Sequence, residues 1–77
     1  MTISVSYEQL KQAFENFKLK HKEKDFDYYY ITYSYMNSFI RFAESKNLSE
    51  DIELYKKIKK ESAEKIREMG YNFNPKD

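Results

Sequence analysis

Residues 26–43 read FDYYYITYSYMNSFIRFA and hold most of the aromatic side chains of the chain. On a helix, at about 100° per residue, the apolar side chains of this stretch fall on one arc of roughly 220°. They are Phe26, Tyr28, Tyr29, Ile31, Tyr33, Tyr35, Met36, Phe39, Ile40, Phe42 and Ala43. A surface helix usually buries a stripe of about 100°, so the wide arc predicts neighbours on two sides or a second copy of the chain.

Residues 28–35 have an alternative interpretation as a β-strand, because Tyr, Ile and Thr favour strands and these side chains alternate at period two. The obvious strand partner is the short β-branched stretch at residues 2–5. A two-stranded ribbon is marginally stable by itself. The helical pattern also continues to Ala43, beyond the length of an ordinary strand, so we predict a helix.

Size and composition point to one small helical domain, residues 1–77. A chain of 77 residues buries only about 60% of its unfolded surface on folding, so the core is small. The sequence contains no cysteine, which excludes disulfides and thiolate metal sites. One glycine and one proline leave little turn chemistry, which favours long helices.

Charge and hydropathy narrow the class of protein further. Fourteen basic and thirteen acidic residues give a net charge of +1, far from the strong basicity typical of nucleic-acid-binding domains. The first ten residues resemble no signal peptide, and no apolar run approaches the roughly 20 residues of a membrane span. We therefore expect a cytoplasmic protein that does not enter a membrane.

Helix-boundary signals predict an all-α fold, a three-helix bundle with a short N-terminal arm and a C-terminal tail. The predicted helices cover about residues 7–22, 26–46 and 50–69. Residues 1–5 form the arm, and Tyr71 and Phe73 fold back onto the bundle. The predicted end signals are a capping box of Ser6 with Gln9, caps by Asp25 or Asp27 and by Ser49, and a terminating Gly70.

The first and third predicted helices are amphipathic. The first has an apolar stripe of Tyr7, Leu10, Ala13, Phe14, Phe17 and His21. The third has a stripe of Leu54, Tyr55, Ile58, Ile66 and Met69, flanked by Ile52 and Ala63. Its opposite face carries i,i+4 pairs within Glu53, Lys57, Glu61 and Lys65, and between Lys60 and Glu64, each contributing about 0.3 kcal/mol.

Few residue patterns indicate chemistry. His21 is the single histidine and lies on an apolar stripe, which favours packing over catalysis. Asp25 and Asp27 begin like a calcium loop, but the required glycine is replaced by Tyr30, and capping explains both carboxylates. The glycosylation sequon at Asn47 lacks a secretory leader. We predict a non-enzyme with no catalytic residues, metal site or cofactor.

Two lysine-rich patches are candidate phosphate contacts. One consists of Lys18, Lys20, Lys22 and Lys24, and the other of Lys56, Lys57, Lys59 and Lys60. Alternate lysines fan out around a helix, and neighbouring glutamates neutralise the second patch. A solvated charged face is therefore the simpler interpretation, with nucleic-acid binding as the alternative function.

The aromatic surplus of the second helix is the remaining functional signal, because tyrosine is enriched at the centres of protein interfaces. Tyrosines that wrap a small core with their hydroxyls in water are the competing explanation. We predict a small protein-binding module that acts by occlusion or scaffolding on another protein, with a possible homodimer. The predicted interface residues are Tyr28, Tyr29, Tyr33, Tyr35, Asn37 and Arg41.

Overall fold

The structure is a computed structural model that describes residues 6–73. Within that range the chain forms α1 (Tyr7–Lys20), α2 (Phe26–Ser45) and α3 (Ser49–Glu68), in that order and without strands. The predicted all-α three-helix bundle is confirmed, and the strand alternative for residues 28–35 is wrong. The predicted N-terminal arm, residues 1–5, lies outside the described residues, as does the tail beyond Phe73.

Helix α2 is the central element because its wide aromatic arc is covered from two sides. α3 runs antiparallel to it, so that Phe39 stacks on Tyr55 with ring centroids 5.1 Å apart. α1 covers another part of the arc, where Phe14 contacts Tyr35 at 5.1 Å and Phe39 at 5.6 Å. The breadth of the apolar arc thus predicts the central position of α2 correctly.

The core is a compact set of large side chains between the three helices. Its buried members are Tyr7, Met36 and Phe39, and the half-buried Leu10, Phe14, Tyr35, Phe42, Leu48, Tyr55 and Ile58 pack against them. Along the same α2–α3 contact, Ala43, Ala63 and Ile66 are also buried. Three positions of the predicted stripes lie at the surface instead: Ala13 of α1, Leu54 of α3 and Met69 beyond its end.

The ends of α1 and α2 follow local sequence chemistry. Ser6 and Gln9 form the predicted capping box, with the Gln9 N–H donating to Ser6 Oγ at 3.1 Å. Asp25 caps α2, since its Oδ1 accepts the Tyr28 N–H at 3.0 Å. Both capping predictions are confirmed, with Asp25 and not Asp27 as the cap of α2.

The predicted cap of α3 is wrong. Ser49 is the first helical residue, and Leu48 occupies the cap position without a side-chain hydrogen bond. The reason lies in the end of α2, where Asn47 has a φ of 58° and Leu48 N–H donates to Ala43 O at 3.0 Å. Because α2 ends in this left-handed conformation, the chain reverses in a short turn and Leu48 packs against the core. Leu48 then takes the cap position, and α3 begins directly at Ser49.

The end of α3 confirms Gly70 as the terminating residue. Gly70 has a φ of 95°, a conformation that suits glycine, and Tyr71 N–H reaches back to Ile66 O at 3.4 Å. The turn brings Tyr71 against Phe26 at 4.2 Å and Phe73 against Tyr33 at 5.0 Å. The predicted return of these two rings onto the bundle is confirmed.

Candidate functional site

An open groove runs between α2 and α3 on the side of the bundle away from the large aromatic core. Its volume is about 1120 Å³. The lining residues are Tyr33, Asn37, Ile40, Arg41 and Glu44 of α2, and Lys56, Lys59, Lys60, Ala63 and Arg67 of α3. Their spacings of three and four residues place each set on one helical face, so two facing stripes form the walls.

The floor of the groove is apolar. Tyr33 and Ala63 are buried, and Ile40 is half-buried between the two helices. Ala63 has a small side chain, which lets the floor lie close to the α3 backbone. Tyr33 is held from two directions, because Phe73 meets its ring edge-on and Lys59 Nζ lies 5.3 Å from its centroid.

The rim of the groove is positively charged. Arg41, Lys56, Lys60 and Arg67 are exposed along it, and Glu44 is the one carboxylate among the lining residues. None of these four cations forms an ion pair with a carboxylate within residues 6–73. The rim therefore presents positive charge that the described part of the protein leaves uncompensated.

The predicted i,i+4 ion pairs of α3 are not formed among the described residues. Lys65 and Glu68 of α3, three residues apart, form an ion pair with nitrogen and oxygen 3.4 Å apart. Exposed side chains gain little from such contacts and are not drawn together by sequence spacing alone. The charge of Lys56 and Lys60 consequently stays available in the groove.

The predicted interface residues divide into two groups. Tyr33, Asn37 and Arg41 line the groove together. The other three tyrosines lie elsewhere: Tyr28 packs on Phe17 at 5.8 Å, Tyr35 packs on Phe14, and Tyr29 meets Tyr28 edge-on at 5.2 Å. One helix face thus contributes to the groove while another faces α1.

The two lysine-rich patches also differ in placement. Lys56, Lys59 and Lys60 line the groove, whereas Lys57 does not. In the first patch, Lys18 pairs with Glu15 at 2.9 Å, Lys24 lies 5.9 Å from the Tyr28 ring centroid, and Lys20 and Lys22 are exposed. The residues 18–24 patch therefore belongs to a separate surface at the end of α1.

Sequence reasoning did not select Arg67 as a site residue or join Arg41 to the α3 lysines. The available signal is the spacing of Lys56, Lys60, Ala63 and Arg67 at four, three and four residues, which marks one helical face. The predicted ion pair of Lys60 with Glu64 assigned Lys60 to the solvent face, so the common face of these four residues was not recognised.

Two titratable side chains with shifted pKa values lie outside the groove. Burial, together with a hydrogen bond from or to Tyr55, raises the pKa of Tyr7 well above its ordinary value. The Tyr28 backbone N–H and then the His21 ring, 2.8 Å away, lower the pKa of Asp25. His21 also stacks on Phe17 at 5.4 Å, which gives it a packing role at the α1–α2 turn.

The described residues show neither a metal site nor a membrane-spanning helix. Residues 6–73 contain no cluster of three His, Cys, Asp or Glu side chains suited to a metal ion. No helix in the same range is long and apolar enough to cross a bilayer. Comparisons of the chain with protein-family models, with curated proteins and with solved structures found no significant match.

Proposed function

We propose that this chain is a small cytoplasmic protein-binding module that docks a segment of another protein in the groove between α2 and α3. One observation carries the proposal. The groove joins three predicted interface residues, Tyr33, Asn37 and Arg41, to an apolar floor and a rim of exposed polar groups. A concave site with an apolar floor and a few polar groups is typical of ligand and peptide recognition.

The dimensions of the groove suit a helical segment. Positions 33 to 44 of α2 span about 16 Å at about 1.5 Å per residue, which equals three turns of a docked helix. Helix-in-groove recognition places one apolar face of the guest on the floor and its polar flanks at the rim. A guest held in this way is hidden from its other targets, which is how a small non-enzyme acts by occlusion or scaffolding.

The groove replaces the exposed tyrosine surface as the favoured contact, because the chain covers much of that surface itself. Tyr33 is only 8% exposed, and Tyr28 and Tyr35 pack against α1. A homodimer is therefore not required to cover the aromatic arc. Pairing of two copies stays a prediction that light scattering on the purified protein tests.

Site-specific photocrosslinking tests the proposed function. A photoreactive side chain replaces Asn37, which lines the groove, and in a matched protein it replaces the exposed Gln12 of α1. In nuclease-treated lysate of the native host, we expect a discrete protein adduct from position 37 and not from position 12. Equal labelling from both positions, or none from position 37, contradicts the proposed docking site.

A second function is favoured by the uncompensated cations. Lys56 and Lys60 face the groove with Arg41 and Arg67, and such a row of charges suits the phosphates of a nucleic acid. Binding to DNA or RNA would then fall steeply with rising salt, because each phosphate contact releases counterions. The affinity of the intact protein for an oligonucleotide at two salt concentrations tests this second function, and no binding at the lower salt concentration contradicts it.

A further inference from the structure

The positive charges of the groove are ordered along its length. Lys56, Lys60 and Arg67 follow one another down the α3 wall, and Arg41 stands on the α2 wall. The α3 cations span twelve residues of helix, from Lys56 to Arg67, or about 16 Å. Glu44 and Lys56 mark the end nearer the α2–α3 turn, and no carboxylate of the described residues lines the groove between Lys60 and Arg67.

We infer that the occupant of the groove is an acidic amphipathic helix of the partner protein, with an apolar line on one face and carboxylates on both sides of it. This inference rests on the proposed function and names its ligand. The apolar line covers Ile40 and Ala63 on the floor. The carboxylates meet Arg41 on one wall and Lys60 and Arg67 on the other, where guanidinium groups bind carboxylates in a bidentate way.

The distribution of acidic residues favours a short acidic helix over a nucleic acid. The chain as a whole has a net charge of only +1, so carboxylates elsewhere on the protein balance most of the positive charge. Exposed or half-exposed carboxylates occupy the rest of α3: Glu50, Asp51, Glu53, Glu61, Glu64 and Glu68. A long polyanion that leaves the groove meets these groups, whereas a guest of about three turns stays among the cations.

The aromatic groups of the groove point to the same choice. Single-stranded nucleic acids gain much of their affinity from bases stacked on exposed rings. Tyr33 is the aromatic residue that lines the groove, and it is buried with its ring held by Phe73. The groove therefore offers charge and an apolar floor without a free stacking platform.

The test uses the full chain and a fluorescent designed peptide of about 14 residues, with leucines along one helical face and glutamates beside them. A second peptide has lysines in place of the glutamates, and a third probe is a 20-nucleotide oligothymidylate. Binding is followed by fluorescence anisotropy. We expect the glutamate peptide to bind at least about tenfold more tightly than the lysine peptide, as several favourable charge contacts become repulsive.

Two double variants locate the binding. Arg41→Glu with Lys60→Glu reverses two charges of the groove, and Lys20→Glu with Lys22→Glu makes the same change in net charge on α1. All four positions are exposed, and circular dichroism checks that both proteins stay helical. The groove variant should lower the affinity for the glutamate peptide by about tenfold or more, and the α1 variant should lower it much less. Arg41→Lys with Lys60→Arg keeps the charges and should bind the glutamate peptide far more tightly than the charge-reversed groove variant does.

Several results overturn the inference. These are no preference for the glutamate peptide, equal weakening by the two double variants, or tighter binding of the oligothymidylate at the same groove. If one of these results occurs and the photoreactive side chain at position 37 still captures a protein, the docking function stands but its partner is not an acidic helix. If position 37 captures no protein, the docking function fails as well.

Discussion

Two tyrosine hydroxyls meet where α1 begins. Tyr7, which is only 8% exposed, lies with its hydroxyl 2.5 Å from that of Tyr55, and its ring stacks on Phe42 at 5.6 Å. Burial disfavours the charged phenolate, so the pKa of Tyr7 is raised and the group stays a neutral hydrogen-bonding partner. This bond ties α1 to α3 at a buried position, which no local sequence pattern reveals.

Substitution Tyr55→Phe should destabilise the protein by about 1 kcal/mol, because it leaves the buried Tyr7 hydroxyl without its partner. Urea denaturation followed by circular dichroism measures the loss. Tyr30→Phe is the control, since Tyr30 is 47% exposed and its hydroxyl can bond to water. An equal effect of the two substitutions would show that the Tyr7–Tyr55 bond contributes no stability.

Thr32 is a position where a substitution should stabilise the protein. Its Oγ1 is buried without a hydrogen-bond partner within the described residues, while the nearby Ser34 Oγ donates to Tyr30 O at 3.2 Å. Thr32→Val keeps the shape and removes an unsatisfied polar atom, so we expect stabilisation of about 1 kcal/mol. Ser62→Ala is the matched control and should not stabilise, because Ser62 Oγ donates to Ile58 O at 2.9 Å. The urea midpoints of the two variants provide the measurement.

At the scale of elements, the helix ends show which signals are local. The capping box at Ser6 and the cap at Asp25 were predictable because each involves residues three apart in the sequence. The start of α3 was not predictable, because the left-handed Asn47 and the half-buried Leu48 determine it through their contacts with the end of α2 and the core. A serine before an amphipathic run is an ambiguous signal when a tight turn precedes it.

The Asp25 cap of α2 should make the stability of the protein depend on pH. The pKa of Asp25 is lowered from 3.8 in the folded protein, so its contribution is present above that value and is lost as the pH falls below it. Asp25→Asn keeps a capping oxygen but cannot ionise, and Asp25→Ala keeps neither. We expect the unmodified chain to exceed Asp25→Asn in urea midpoint at pH 7 and to lose that advantage near pH 2.5. A constant difference at both pH values would exclude a charged cap.

For the whole molecule, the all-α fold could be predicted because aromatic side chains at helical spacing dominate residues 26–43. The groove could be predicted only in part. Arg41 and Asn37 were identified from α2, but the joining of Arg41 to Lys60 and Arg67 depends on how α3 lies against α2. Sequence spacing gives the face of each helix, and tertiary packing decides which faces form one site.

The small core should make the protein sensitive to single truncations. Met36 is 1% exposed, and Met36→Ala should cost about 2–5 kcal/mol through lost contacts and a cavity. A domain of this size has roughly 4–12 kcal/mol of stability in total, so the variant should be close to unfolding. Leu19→Ala, at a side chain that is 71% exposed, should change the thermal midpoint little. Similar midpoints for the two variants would contradict the assigned core.

The attachment of α1 has a consequence for motion. α1 meets α2 mainly through aromatic rings, and it reaches α3 through the Tyr7–Tyr55 hydroxyl pair, whereas α2 and α3 pack along most of their lengths. The amide hydrogens of α1 should therefore exchange with deuterated solvent before those at the centre of α2, as α1 detaches in partial openings of the native state. The groove between α2 and α3 would persist through such openings.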